Sequence, residues 1–213
     1  MRMKLALYSI LVILLTAFLT APPVFAQAQH SIWDDFIAEP NAAHYQAIIA
    51  RMQSMDEQER LRHQKPEALI GENSRGFVSS LYGLVRQGDY DACHLAFDFA
   101  DFFRNNAAFV ESLNDLRGEI INVNPDLFLE LIHKYAIKDP RHLRLSSIVT
   151  ATGDQYVDEF EKTIQENNKR IASLKTVKSG AYSEEKDLCI QLLEENNERY
   201  KKVIKKFENQ AVE

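Results

Sequence analysis

Residues 154–213 carry the clearest hydrophobic pattern in the chain. Val157, Phe160, Ile164, Asn167, Ile171 and Leu174 recur at alternating steps of three and four. A turn-like stretch follows from Lys178 to Ser183 and contains Gly180. Cys189, Leu193, Asn196, Tyr200, Val203 and Phe207 then recur at steps of four and three. Heptad-like seams of this kind predict two helices of coiled-coil type. Folded back antiparallel, they pair Val157 with Phe207, Phe160 with Val203, Ile164 with Tyr200, Asn167 with Asn196, Ile171 with Leu193, and Leu174 with Cys189. The two polar seam positions, Asn167 and Asn196, meet in one layer. Side-chain amides both donate and accept, so the pair can satisfy itself. A slipped register would set each amide against hydrocarbon, so the pair specifies the alignment.

Helical periodicity extends through most of the remaining chain. Asn41 can cap a helix with Tyr45, Ile48, Ile49, Met52 and Met55 on one face. The charged stretch Asp56–Lys65 interrupts the pattern. Pro66 suits the first turn of a short helix ending near Ile70, and Gly71–Ser74 reads as a turn. A helix from about Gly76 to Gln87 turns Phe77, Leu81, Leu84 and Val85 inward. Tyr90–Arg104 is dense in aromatics and predicts the most buried helix. Asn106 opens a helix with Phe109, Leu113, Leu116 and Ile120 in register. Asn124-Pro125 and Asp139-Pro140 each combine a capping residue with proline at the first helical position. Connections this short predict antiparallel neighbours. The fold class is therefore all-α: an antiparallel multi-helix bundle or short α-solenoid of about seven to eight helices, ending in a long hairpin.

Gly88-Asp89-Tyr90-Asp91-Ala92 resembles the inter-helix turn of tetratricopeptide-type repeats. The resemblance stops at these five residues, and no self-similarity at the repeat period accompanies it.

The first 26 residues alter the picture. Arg2 and Lys4 precede an uncharged run, Leu5–Ala21, which Pro22-Pro23 ends. Small residues follow, as a secretory signal peptide requires. Cleavage after Ala26 would release Gln27, and the alternative after Ala28 would release Gln29. The predicted organisation is a signal peptide (1–26), a post-leader tail (27–40), a helical domain (41–153) and a C-terminal hairpin (154–213). The hairpin is either part of that domain or a projecting arm. Trp33, Phe36 and Ile37 are expected to anchor the tail. The leader predicts export to a periplasm or the medium, with no membrane span after its removal.

Losing the leader removes two basic residues and no acidic ones, moving the formal charge from −6 to −8. So acidic a chain has no bulk attraction for phosphate backbones, and nucleic acid is not an expected partner. Export also gives meaning to Cys93 and Cys189, because paired cysteines commonly bond in an oxidising compartment. A Cys93–Cys189 disulfide is the expectation, and two separate buried thiols are the alternative.

Candidate chemistry is sparse. Asp91, His94, Asp98 and Asp101, at steps of three, four and three, share one helix face. His94, Asp98 and Asp101 are weak candidates for a divalent metal site or for acid–base catalysis. The competing expectation is a solvent-facing polar stripe opposite an aromatic face. The Phe97–Phe103 region could line an apolar ligand cavity, although such aromatics are usually core. No zincin, phosphate-loop or nucleophile-elbow motif occurs. The sequence therefore favours a non-enzymatic, exported protein-interaction or structural module with no cofactor and a protein partner. A metal-dependent or acid–base enzyme and an apolar-ligand binder are the alternatives.

Overall fold

A computed structural model describes residues 31–135, 143–152 and 159–210. The leader, its cleavage positions Ala26 and Ala28, Asp139-Pro140 and Val157 lie outside the described residues. The described residues from Ile32 onward cluster as one compact unit. The described residues form eleven α-helices and no strand. They are α1 (Ile32–Ala38), α2 (Ala42–Gln53), α3 (Glu57–Arg62), α4 (Pro66–Ile70), α5 (Ser74–Arg86) and α6 (Tyr90–Phe102), followed by α7 (Ala107–Val123), α8 (Pro125–Lys134), α9 (Leu143–Val149), α10 (Phe160–Thr176) and α11 (Ser183–Gln210). Among these residues no helix is long and apolar enough to cross a membrane.

The count exceeds the expected seven to eight, in part because two short helices escape periodicity. Helix α3 has no buried residue, so it leaves no apolar signal. Its start is fixed by Asp56, which accepts from the Glu59 amide at 2.7 Å. Helix α1 occupies the stretch assigned to the post-leader tail. Trp33 and Phe36 are buried there, with the Trp33 ring edge-on to Phe77 and tilted against Phe99.

Capping chemistry places the remaining boundaries. Asn41, Asp89, Asn106 and Asn124 each accept a hydrogen bond from the backbone amide three residues on, satisfying a donor that the helix start leaves open. Gly88, at φ +77°, ends α5. Its amide donates to Val85 and that of Asp89 to Leu84, the paired bonds of a left-handed glycine terminus. The Gly88-Asp89 turn thus closes one helix and opens the next.

Helix α6 is buried on nearly every side: Ala92 to Phe97, Phe99, Ala100 and Phe102 are all core. Its rings pack edge to face, Phe99 on Phe103 and Phe102 on Phe103. Helix α7 packs against α5, α6, α8, α9 and α10 and is the hub of the bundle. Helices α10 and α11 pack together, with early α10 residues meeting late α11 residues. Phe160 stacks on Tyr200 and Phe207 at 5.4 and 6.2 Å, and Asn167 donates to Asn196 at 3.0 Å.

The polar layer of this pair is wider than two amides. Asn167 also donates to Asn197 at 2.8 Å, and Asn197 donates to Asn168 at 3.0 Å. The buried stripe of α11 is Cys189, Leu193 and Asn197. Steps of four replace the three-four alternation there, so Asn197 takes the inward position and Asn196 stands half-buried.

Candidate functional site

The sequence-derived cluster on α6 does not assemble as a site. His94 is buried at 6% exposure rather than solvent-facing. Tyr90 lies 4.5 Å from its ring, and Lys134 of α8 approaches Nδ1 at 3.3 Å. An ammonium can only donate, so Nδ1 accepts and the ring proton sits on Nε2. That Nε2 is buried without a hydrogen-bond partner. Burial first, and the Lys134 charge second, push the His94 pKa below its ordinary value.

Asp98 is held by two phenols. Tyr45 donates to one carboxylate oxygen at 2.6 Å and Tyr135 to the other at 2.5 Å. The three residues tie α6 to α2 and to the end of α8. Burial and the Asp98 carboxylate push both phenols above their ordinary range. Asp101 is exposed and pairs only loosely with Arg104, at 4.0 Å. Asp91, half-buried, has its pKa raised by burial and by Asp89. Among the described residues no group of three or more His, Cys, Asp or Glu side chains can hold a metal ion. No metal-holding group therefore forms at His94, Asp98 and Asp101 among the described residues. Shared helical spacing brings them to one side of α6, but residues of α2 and the end of α8 engage His94 and Asp98, while Asp101 meets Arg104 just beyond its own helix.

Two further expectations are also revised. Phe97, Phe99 and Phe103 are fully buried against other rings, so they fill the core rather than line an apolar cavity. Cys93 and Cys189 are free, buried thiols in the structure rather than a disulfide. Burial, with Asp89 beside the first and Glu185 beside the second, pushes each up to about 12. Each sulfur packs as a small hydrophobe and is not poised to react.

A polar cleft lies elsewhere, between α7 and α10. A cavity of about 520 Å³ is lined by Asp115, Glu119, Asn122, Glu166, Lys169 and Arg170, among others. Arg170 is 1% exposed. Its Nη1 donates to the carbonyls of Val149 and Ala151 at 2.8 and 2.6 Å. Those carbonyls belong to the last turn and exit of α9, where a helix leaves acceptors open and its dipole favours a cation. Gly118 makes room for this reach. A β-carbon there would stand 2.6 Å from the Ile148 carbonyl oxygen and 3.0 Å from Arg170 Nη1.

Carboxylates surround the guanidinium without hydrogen-bonding it. Glu166 Oε1 is 3.7 Å from Nε and Glu119 Oε2 is 4.0 Å from Nη2. Each acid is held by another partner. Asn122 donates to Glu166 at 2.6 Å and Lys169 at 3.1 Å, while Arg86 lies 3.4 Å from Glu119. Burial works to raise the Glu166 pKa, but these hydrogen bonds and the Arg170 charge outweigh it and hold the group low. Asp115 accepts from Tyr82 at 2.5 Å.

Glu166 and Arg170 lie off the apolar seam of α10, so hydrophobic periodicity does not single them out. Two signals point to the network: the Glu166–Arg170 pair at i,i+4, and a glycine inside α7 where nothing local requires one.

A third feature is the far end of α11. Its last buried residue is Asn197, yet the helix continues to Gln210. Phe207 is 58% exposed on its stack with Phe160. Arg199, Lys201, Lys202, Lys205 and Lys206 crowd the same segment.

No family model matches the chain, and no match was found among curated proteins or solved structures.

Proposed function

We propose that the protein is an exported, non-enzymatic interaction module that docks an acidic protein partner through the far end of α11. One observation carries this reading: a helix running from Glu198 to Gln210 with no buried residue, and with an exposed phenylalanine among five cations. Core packing normally supplies most of a helix's stability, and here full burial ends at Asn197, with Tyr200, Val203 and Ile204 only half-buried beyond it. An exposed aromatic rimmed by charge has the make-up of an interface anchor, and five cations select a partner of opposite sign. Export rests on the leader, whose basic start, apolar run and small-residue ending fit a secretory signal.

The test is affinity co-purification of the full chain from its own cell envelope, beside two variants, Phe207→Ala and the pair Lys202→Glu with Lys205→Glu. Neither variant touches a buried position, so both should fold. A retained acidic protein is expected, lost in the charge-reversed variant and weakened in Phe207→Ala. The same protein retained equally by all three would refute the arm as the docking surface. Self-association that disappears in the variants would replace the acidic partner with a second copy. Mass spectrometry of the mature N-terminus tests export: Gln27 or Gln29 first is expected, and intact Met1 contradicts it.

A further inference from the structure

We propose that the cavity between α7 and α10 binds a compact zwitterion, a free amino acid or similar amino-carboxylate, with its carboxylate on Arg170 and its ammonium on Glu119 and Asp115. The donor inventory of Arg170 leads there. A guanidinium has five N–H groups in a fixed plane. Nη1 is committed to Val149 and Ala151. The opposite edge, Nε with Nη2, has no hydrogen bond among the described residues; its neighbours stand at 3.7 and 4.0 Å. Nε is buried and unpartnered. That edge is the planar fork that receives a carboxylate through two parallel bonds.

The neighbouring acids do not fill the fork because they are tethered. Glu166 is held by Asn122 and Lys169, and Glu119 leans toward Arg86. They remain as acceptors on the cavity wall, together with the Asp115 oxygen that Tyr82 does not use. A simple anion in this space would meet three carboxylates. A simple cation would meet Arg170 and Lys169 and leave the fork empty. A ligand with both charges a few bonds apart satisfies both sides. The volume, about 520 Å³, lies in the range of small-ligand sites and suits a molecule of amino-acid size. This site is separate from the end of α11, so either proposal can fail alone.

The experiment is isothermal titration of the purified protein with the common L-amino acids one at a time, and with acetate and propylamine, which carry one charge each. Saturable binding of at least one amino acid, tenfold or more tighter than either single-charge probe, is expected. Removing one charge-assisted contact with Glu119→Gln should weaken that binding by roughly tenfold. Circular dichroism of this variant shows whether it is folded. Glu119 pairs with Arg86 at 3.4 Å and lies 4.0 Å from Arg170 Nη2, away from the Nη1 bonds to Val149 and Ala151, so its loss spares the α9 anchor. No saturable amino-acid binding overturns the proposal. So does acetate or propylamine binding as tightly, or undiminished binding by folded Glu119→Gln.

Discussion

Gly118→Ala sets two effects of known sign against each other. In a helix interior alanine is favoured over glycine by about 1 kcal/mol, so an unobstructed site would gain stability. At Gly118 the new methyl would stand 2.6 Å from the Ile148 carbonyl oxygen, against 3.4 Å or more for ordinary contact. The obstacle is backbone, which cannot rotate aside. Relief requires α9 to move away from α7, and Arg170 to shift as well. Overpacking of this kind costs about 1–3 kcal/mol. Disturbing a hydrogen bond from a charged donor adds about 1.5–3 kcal/mol, and Arg170 makes two. The penalties exceed the propensity gain, and the expected net loss is about 2 kcal/mol. Gly83, inside α5, is the matched control, because a methyl added there would meet nothing within 4 Å. Gly83→Ala should stabilise by about 0.5–1 kcal/mol. Urea unfolding followed by far-ultraviolet circular dichroism measures both. If Gly118→Ala is as stable as the parent, or more so, the close passage of α7, α9 and Arg170 is not what the structure describes.

Three further outcomes follow from buried groups. His94 has a folded pKa below its ordinary value of 6.5, so the unfolded chain binds its proton more readily. Its contribution is complete above 6.5 and is lost as pH falls through the folded value. His94→Gln should flatten that limb, whereas identical acid limbs in both proteins would refute the assignment; Asp91, Asp98, Glu130 and Lys134 face the ring and stay unchanged in the comparison. Asn167→Asp should destabilise by about 3 kcal/mol at neutral pH, because it sets a charge in a buried amide layer; a loss that does not shrink on acidification would argue against burial of that layer. A thiol titration of unreduced protein should find no reactive cysteine when folded and both Cys93 and Cys189 after unfolding, whereas none after unfolding would mean that the two are bonded.

How far the sequence specified this structure depends on which forces were local. Asn41, Asn106 and Asn124-Pro125 mark their helices because capping is decided within four residues. Phe77, Leu81 and Val85, or Leu113, Leu116 and Ile120, are found from period alone because one face meets an apolar core. Helix α10 shows where period fails. It has a second buried face, against α7, built from Thr163, Glu166 and Arg170. Polar residues on a polar-looking stripe give no apolar signal, and their burial depends on Gly118 and on the carbonyls of α9, both distant in sequence. The α6 cluster shows the converse. Spacing put His94, Asp98 and Asp101 on one side of a helix, but the partners of His94 and Asp98, namely Lys134, Tyr45 and Tyr135, come from other elements. Spacing says which residues share a face and nothing about what faces them.

Docking through the end of α11 is tested most directly by site-specific photo-crosslinking in living cells. A photoreactive amino acid is placed at Phe207 and, as a control, at the exposed Gln46 on α2. A discrete adduct with an acidic protein is expected from position 207 and none from position 46. No adduct at 207, or the same adducts from both positions, would contradict docking through this arm.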